Sequence, residues 1–154
     1  MLVYRVCKTR HPVLDGTGAE RSGSRWHSPG TPVVHASTCC AGSLLEILVH
    51  RGRIRLPGAH HAGEILIPDD VLVERLEPQD MPGWDDPESP AAREHGDAWL
   101  HDQRTVALLV PSVPGRPLQS GVLLNPRHPD FARVRLLRTI EVPWDPRLFG
   151  VATM

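Results

Sequence analysis

Long apolar runs and an excess of either charge are both missing from this sequence. No stretch approaches the roughly 20 apolar residues of a membrane-spanning helix, and the opening MLVYRVCKTR lacks the basic, apolar and small-residue order of a secretory leader. The 17 basic and 18 acidic residues leave a net charge of -1, which creates no long-range field to attract a polyanion. We therefore expect an unprocessed cytoplasmic protein that binds neither membranes nor nucleic acid directly.

Cysteine is also scarce, with only Cys7, Cys39 and Cys40. The number is odd and adjacent cysteines rarely bridge each other, so a secreted disulfide scaffold is disfavoured. A zinc site could be considered at two pairs of adjacent residues, Cys39-Cys40 and His60-His61. Ligands that are adjacent in sequence strain a tetrahedral zinc site, so this possibility is disfavoured. The sequence predicts reduced cysteines and no bound metal.

Short apolar segments separated by turn residues predict several strands and two helices in one domain of residues 1–154. The predicted strands cover residues 2–7, 32–36, 62–68, 71–76, 105–110, 121–124 and 134–142, and the predicted helices cover residues 38–50 and 91–101. A hairpin is the simplest connection between the third and fourth strands. Because regular alternation of strands and helices is missing, a doubly wound fold is disfavoured. We predict an α+β fold, a compact single domain of twisted, mostly antiparallel sheets with short helices.

Two long polar segments interrupt these elements. Residues 8–31 form the first, and loops of more than about 15 residues inside a compact domain are either functional or disordered. The Arg25-Trp26 pair within it favours a functional loop. The second, residues 77–96, holds four prolines and several acids, and it is expected to lie on the surface as a lid or a partner contact.

The helix predicted over residues 38–50 carries an apolar stripe that we expect to face the core. Its members are Ala41, Leu44, Leu45, Leu48 and Val49. Glu46 falls off this stripe with His50 one turn later, so its simplest interpretation is an exposed i,i+4 pair.

Common catalytic motifs are incomplete. Gly16-Thr17-Gly18 lacks the third glycine of a dinucleotide loop and the lysine of a P-loop. Ser112 has no glycine elbow of the kind that carries a hydrolase nucleophile. Taken singly, these residues establish no function.

Seven runs taken together do point to a family. They are GTGA at 16–19, GSRWHSPG at 23–30, PVVH at 32–35, LLEILVH at 44–50, VPS at 110–112, LNPRHPDF at 124–131 and DPRLF at 145–149. In this order they resemble the RES-domain toxins of bacterial toxin-antitoxin modules, named for an arginine, a glutamate and a serine. The resemblance implies a compact relative of the ADP-ribosyltransferase fold, NAD as substrate, and a partner antitoxin of the helix-turn-helix Xre type. A homodimer within the toxin-antitoxin complex is one assembly that it allows.

On this resemblance Arg25, Glu46 and Ser112 take the three name-giving places. His35 lies where the family usually has a tyrosine, and His27 lies where an asparagine commonly follows the Arg-Trp or Arg-Tyr pair. These two departures would weaken catalysis or change the acceptor of the sugar. We predict Glu46, Arg25, His35 and Ser112 as the catalytic set.

The chemistry of these residues agrees with cleavage of NAD. Departure of nicotinamide develops positive charge on the ribose, which the carboxylate of Glu46 can stabilise. Arg25 offers a fixed fork of donors to the pyrophosphate. His35 offers a ring for stacking and a donor nitrogen, and titration near neutrality would make activity sensitive to pH. Ser112 is expected to hydrogen-bond the amide or the ribose.

Three further residues complete the predicted ligand-binding set. Arg5, on the first strand, is a candidate for a second phosphate contact. Trp26 and Asn125 lie within the matching runs, although a tryptophan is more often a core anchor than a stacking platform.

The leading functional prediction is a toxin that consumes NAD by cleaving the nicotinamide-ribosyl bond, as a glycohydrolase or a phosphorylase. One alternative is a protein ADP-ribosyltransferase. Another is a catalytically decayed toxin that only binds its antitoxin. A ribonuclease is disfavoured because no basic stripe interleaved with aromatic residues is present.

Overall fold

One seven-stranded sheet organises residues 1–51 and 57–149, the part of the chain that this computed structural model describes. The strands are β1 (Leu2–Lys8), β2 (Val34–Ser37), β3 (His60–Leu66), β4 (Val73–Arg75), β5 (Ala107–Pro111), β6 (Ser120–Leu124) and β7 (Arg135–Glu141). The helices are α1 (Thr17–Ser22), α2 (Cys40–Arg51) and α3 (Pro90–Asp102), with 3₁₀ turns at Pro78–Asp80, Pro129–Arg133 and Pro146–Phe149. None of the described helices is long and apolar enough to cross a bilayer.

The strand order is β4-β5-β6-β2-β1-β3-β7. Every neighbouring pair is antiparallel except β4 with β5, which is parallel. The predicted α+β class and mostly antiparallel pairing are confirmed. In the described residues all seven strands belong to one sheet.

The hairpin predicted between the third and fourth strands is wrong. β3 lies between β1 and β7, whereas β4 pairs with β5 at the opposite edge of the sheet. The connecting aspartates have distant partners, since Asp69 accepts from the N-terminal amine at 2.7 Å and Asp70 binds Arg133 at 2.6 Å. β1 and β7 occupy both edges of β3 in the folded sheet, so neither edge is open to β4.

Side chains of β5 alternate between two apolar clusters. Ala107 and Leu109 belong to one cluster, and Leu108 and Val110 belong to the other. Because successive side chains of a strand point to opposite faces, this part of the sheet is covered on both sides. All five residues of β5 are buried, which explains its continuous apolar sequence.

The helix predicted over residues 91–101 is confirmed as α3. Ser89 caps its start by accepting a hydrogen bond from the Ala92 amide at 3.3 Å, with Pro90 in the first turn. Trp99 is fully buried, and its Nε1 donates to Thr105 Oγ1 at 2.9 Å. α3 thus anchors the second cluster.

The apolar stripe predicted to face the core from α2 does not do so throughout. Leu45 is 41% exposed and Val49 is 55% exposed. The buried face instead carries Gly42 and Ser43, and a Cβ on Gly42 would overlap Ser37 Oγ. Small residues allow this close approach of helix and sheet, so they decide which side of α2 faces inward.

A short helix, α1, occupies part of the segment predicted as a loop over residues 8–31. Asp15 stabilises its start by accepting hydrogen bonds from the Thr17 amide at 2.9 Å and the Thr17 hydroxyl at 3.0 Å. Six residues are too few to show helical periodicity, which is why the sequence does not reveal α1.

Candidate active site

A cavity of about 910 Å³ opens between β1, β2, α2 and the segment that carries Arg25. Its volume lies within the range of about 300–1,000 Å³ that is typical of small-molecule sites. Six of the seven predicted site residues line it. They are Arg5, Arg25, Trp26, His35, Glu46 and Ser112. Folding therefore gathers residues that are more than 100 positions apart in the sequence.

One face of α2 forms a wall of this cavity. Ser43, Glu46, Ile47 and His50 all line it. Their i, i+3, i+4, i+7 spacing places them on a single helical face. Ser43 fixes that face to the sheet, because its Oγ accepts a hydrogen bond from the Val6 amide at 2.8 Å. The offset of Glu46 from the leucine positions is thus what turns it toward the cavity.

The Glu46 carboxylate is held by Ser112. The Ser112 hydroxyl donates to Glu46 Oε1 at 3.1 Å and accepts from the Gly115 amide at 3.1 Å. Ser112 is buried, whereas the side chain of Glu46 is 40% exposed. One carboxylate oxygen is therefore positioned by the protein while the group remains accessible to a ligand.

The predicted Glu46–His50 pair is a minor contact. His50 Nδ1 lies 2.7 Å from the Glu46 backbone carbonyl, which accepts its hydrogen bond, and 3.9 Å from Glu46 Oε2. Because its donor is directed at the helix backbone, His50 leaves the orientation of the carboxylate to Ser112.

The Arg25 guanidinium joins the cavity to the proline-rich segment. Its Nη1 donates to the carbonyl oxygens of Trp84 (3.3 Å) and Asp86, and the neighbouring Pro87 lines the cavity. Arg116 holds the same segment from another side, through a 2.8 Å ion pair with Asp85. Part of the predicted surface excursion is thus a wall of the site.

Arg5 reaches the cavity from β1 and also organises the chain that follows. Its Nη1 donates to the carbonyl oxygens of Val13 at 2.7 Å and Asp15 at 2.6 Å. Burial lowers the pKa of Arg5, while the charges of Cys7 and Asp15 act in the opposite direction. An arginine remains charged after such a shift, so Arg5 adds a second cation to the site.

His35 meets His27 at the edge of the cavity. The two Nε2 atoms lie 3.0 Å apart and the ring centroids 5.3 Å apart. Burial, with smaller effects from the neighbouring His27, Arg5 and His50, lowers the pKa of His35 to about 3. The prediction that His35 titrates near neutrality is therefore wrong, because desolvation and surrounding cations disfavour its charged form.

This shift predicts a loss of stability in mild acid. Unfolded His35 binds a proton near pH 6.5, whereas folded His35 does so only near pH 3. The unfolded state therefore binds more protons between these values, and His35's contribution is complete above pH 6.5 and lost as the pH falls toward 3. In urea titrations across this range, His35→Gln should show a shallower decline in the free energy of unfolding than the unsubstituted protein. Equal declines would contradict the assignment.

The remaining two predicted residues have structural partners. Trp26 is 6% exposed and stacks on Trp84 with ring centroids 6.2 Å apart, so its ring belongs to the second core cluster even though the residue lines the cavity. Asn125 does not line the cavity. Its Oδ1 accepts from the Arg127 amide at 3.0 Å, which orders the turn after β6. Trp26 thus has a packing partner and Asn125 Oδ1 a hydrogen-bond partner, while the buried Asn125 Nδ2 has none among the described residues.

His60 is a cavity residue that sequence reasoning considered only as a metal ligand. It is 3% exposed, its Nδ1 lies 2.6 Å from the Gly58 carbonyl, and its ring packs edge-on against Trp144. The adjacent His61 instead contacts Cys7 Sγ at 3.1 Å. Within residues 1–51 and 57–149, no three His, Cys, Asp or Glu side chains are grouped to hold a metal ion. Strand alternation was the signal that separates the two histidines.

Comparison with known proteins places the sequence in a family along nearly its whole length. Residues 2–145 match the family model described as the RES domain. A relative from Sphingobium sp. (strain YBL2), named "Prs ADP-ribosylating toxin", is 37% identical over 143 residues, covering 90% of this chain and 88% of the relative. A Pseudomonas putida protein named "Toxin Res" is 36% identical over 152 residues, covering 97% of this chain and 100% of the relative.

The fold also has a solved counterpart. A chain in the crystal structure of the M. tuberculosis MbcT-MbcA toxin-antitoxin complex superposes with a TM-score of 0.68, covering 97% of this chain and 86% of its own length. Because the sequence identity is only 19%, this likeness is one of fold alone. Because the family match spans nearly the whole sequence and includes the residues around the cavity, this chain belongs to the RES domain family.

Proposed function

We propose that this protein is a toxin of a toxin-antitoxin module and that it cleaves the bond between nicotinamide and ribose in NAD. The observation that carries the proposal is the accessible Glu46 carboxylate, held by Ser112 in a cavity that Arg5 and Arg25 also line. An acid and two cations on one concave surface fit a ligand with a reacting sugar and a pyrophosphate.

Glu46 supplies the electrostatic part of the reaction. As the bond from ribose C1′ to the ring nitrogen breaks, its electron pair leaves with nicotinamide and neutralises the pyridinium. Positive charge then develops on the sugar, and a carboxylate beside it stabilises that charge. Ser112 keeps the carboxylate in one orientation through its 3.1 Å hydrogen bond, so the charge is in place before the reaction begins.

Arg25 and Arg5 are assigned to the pyrophosphate. A guanidinium has five N–H donors, and the two described contacts of Arg25 use only Nη1. Its Nε and Nη2 can bind phosphate oxygens while Nη1 keeps the segment around Trp84 in place. In this arrangement both arginines position the ligand, and neither transfers a proton.

An acceptor oxygen completes the reaction by bonding to C1′ and losing its proton. Water gives free ADP-ribose, and phosphate gives its phosphorylated form. A protein side chain is the second candidate, favoured by the name of the Sphingobium relative, "Prs ADP-ribosylating toxin". All three acceptors require the same cleavage.

Labelled NAD separates these acceptors. Purified protein incubated with NAD labelled in the adenylate part is expected to release nicotinamide, and the label is then followed into free ADP-ribose, its phosphate ester or a protein band in a lysate. Label on one protein band with little free product would establish transfer to a protein. Absence of nicotinamide release with water, phosphate and lysate alike would overturn the proposal and favour a chain that only binds an antitoxin.

A helix-turn-helix antitoxin of the Xre type is the proposed partner. The likeness to a relative named "Toxin Res" supports a toxin role. Because the 17 basic and 18 acidic residues of this chain nearly balance, we assign any contact with DNA to the antitoxin and not to this chain. Co-expression with an Xre-type antitoxin that binds this chain should restore growth that the toxin alone arrests.

A further inference from the structure

Two neutral histidines share a hydrogen bond at the edge of the cavity, and their partners determine where each proton lies. His27 is fully buried, and its Nε2 lies 3.0 Å from His35 Nε2. A hydrogen bond between two neutral imidazoles needs one protonated and one unprotonated nitrogen. Burial lowers the pKa of both rings, so the neutral forms are the relevant ones.

The backbone decides the direction of this hydrogen bond. His27 Nδ1 lies 3.0 Å from the Ser28 carbonyl oxygen, which can only accept, so Nδ1 carries the proton of His27. His27 Nε2 is then a lone pair, and His35 Nε2 must be the donor. The remaining nitrogen of His35, Nδ1, is consequently unprotonated.

Asp97 on α3 keeps the Ser28 carbonyl in place. Its two carboxylate oxygens accept hydrogen bonds from the Ser28 amide at 2.8 Å and the Ser28 hydroxyl at 2.6 Å. A series of hydrogen bonds therefore runs from α3 through Ser28 and His27 to His35. Each group has one arrangement that satisfies its neighbours.

The second ring nitrogen of His35, Nδ1, is the one left for a ligand. The His35 ring lines the cavity, and its Nε2 is turned toward His27. The nitrogen that meets a ligand is therefore an acceptor, not the donor expected from the sequence.

We propose that His27 is a positioning residue that holds His35 in the Nε2-protonated tautomer, so that His35 Nδ1 accepts a hydrogen bond from the ligand. This inference rests on the proposed function, and in NAD the available donors are the carboxamide NH₂ and the ribose hydroxyls. A carboxylate in place of the carboxamide would bring its lone pairs against this acceptor. The pair thus selects a ligand that donates at this point.

The first test reads the protons directly and requires no activity. Long-range ¹H–¹⁵N NMR of the unsubstituted protein is expected to show His27 protonated on Nδ1 and His35 protonated on Nε2. Addition of NAD should shift the His35 Nδ1 resonance. A His27 proton on Nε2, or a His35 proton on Nδ1, overturns the inference whether or not the protein cleaves NAD.

The second test uses paired substitutions of His27. His27→Phe removes the acceptor, and the KM for NAD should rise several-fold to about tenfold with little change in kcat, because one ground-state hydrogen bond is weakened. His27→Gln keeps an acceptor oxygen near the position of Nε2 and should restore the KM. His101→Phe, at the exposed end of α3, is the matched control.

Substrate analogues then separate the two ligand donors. Nicotinic acid adenine dinucleotide carries a carboxylate in place of the carboxamide. If the carboxamide is the donor, the KM for this analogue should be the same in the unsubstituted protein and in His27→Phe. If a ribose hydroxyl is the donor, the KM for the analogue should still be higher in His27→Phe. An unchanged KM for His27→Phe with both dinucleotides overturns the inference. If nicotinamide release is absent in every variant, the proposed function fails and the NMR result alone decides the tautomer assignment.

Discussion

Glu46→Gln should reduce nicotinamide release by about 10²–10³-fold, the magnitude seen when one preorganised electrostatic contact to a transition state is removed. Glutamine keeps the shape of the side chain and an oxygen that can accept from Ser112, so the 3.1 Å hydrogen bond survives. What disappears is the negative charge beside the developing sugar cation. Steady-state kinetics with NAD should therefore show a fall in kcat with a smaller change in KM.

The matched control is Glu94→Gln, the same substitution on an exposed position of α3 away from the cavity. It should leave nicotinamide release unchanged. Comparable unfolding curves for both variants would show that the loss at Glu46 is chemical. Full activity of Glu46→Gln would remove the carboxylate from the mechanism and would require another group to stabilise the sugar cation.

Gly96→Ala should destabilise the fold by about 3 kcal/mol, at the upper end of the usual cost of overpacking. A Cβ on Gly96 would overlap the carbonyl oxygen of Trp26, a backbone atom that cannot rotate away. α3 must then move from the segment that carries Arg25 and Trp26. Urea denaturation should show a lower midpoint with a similar slope, and activity should fall because the cavity wall shifts.

Gly18→Ala provides the comparison within another helix. A Cβ at Gly18 meets no atom within 4 Å, so this substitution should stabilise α1 by about 0.5–1 kcal/mol through the lower entropy of the unfolded chain. If Gly96→Ala and Gly18→Ala gave the same midpoint, the close contact between α3 and Trp26 would be disproved.

The contrast between β5 and β4 shows how far local pattern reaches. The apolar run at residues 105–110 predicts a buried strand, and β5 is buried at all five positions. The run at residues 71–76 predicts a strand equally well, but it does not predict which strand pairs with it. In the structure β4 pairs with β5 at one edge of the sheet, whereas β3 lies near the opposite edge. Which strands pair depends on contacts distant in sequence, such as those of Asp69 and Asp70.

The helix that carries Glu46 shows the same limit. Its existence follows from sequence periodicity, but the predicted core stripe includes Leu45 and Val49, which are both exposed. Packing of Gly42 and Ser43 against the sheet rotates α2 and brings Glu46 to the cavity. A hydrophobic pattern measures burial preference and carries no information on how closely two backbones can approach.

Residue chemistry and family motifs were enough to nominate the acid, the arginines and the serine, because charge and hydrogen-bonding capacity belong to a side chain wherever it lies. The protonation of His35 was not accessible in this way. Desolvation and the electrostatic effects of His27, Arg5 and His50 lower its pKa to about 3, and the hydrogen bond to His27 directs its proton. These effects depend on distances between groups that only folding brings together, so the tertiary structure alone decides whether that ring donates or accepts.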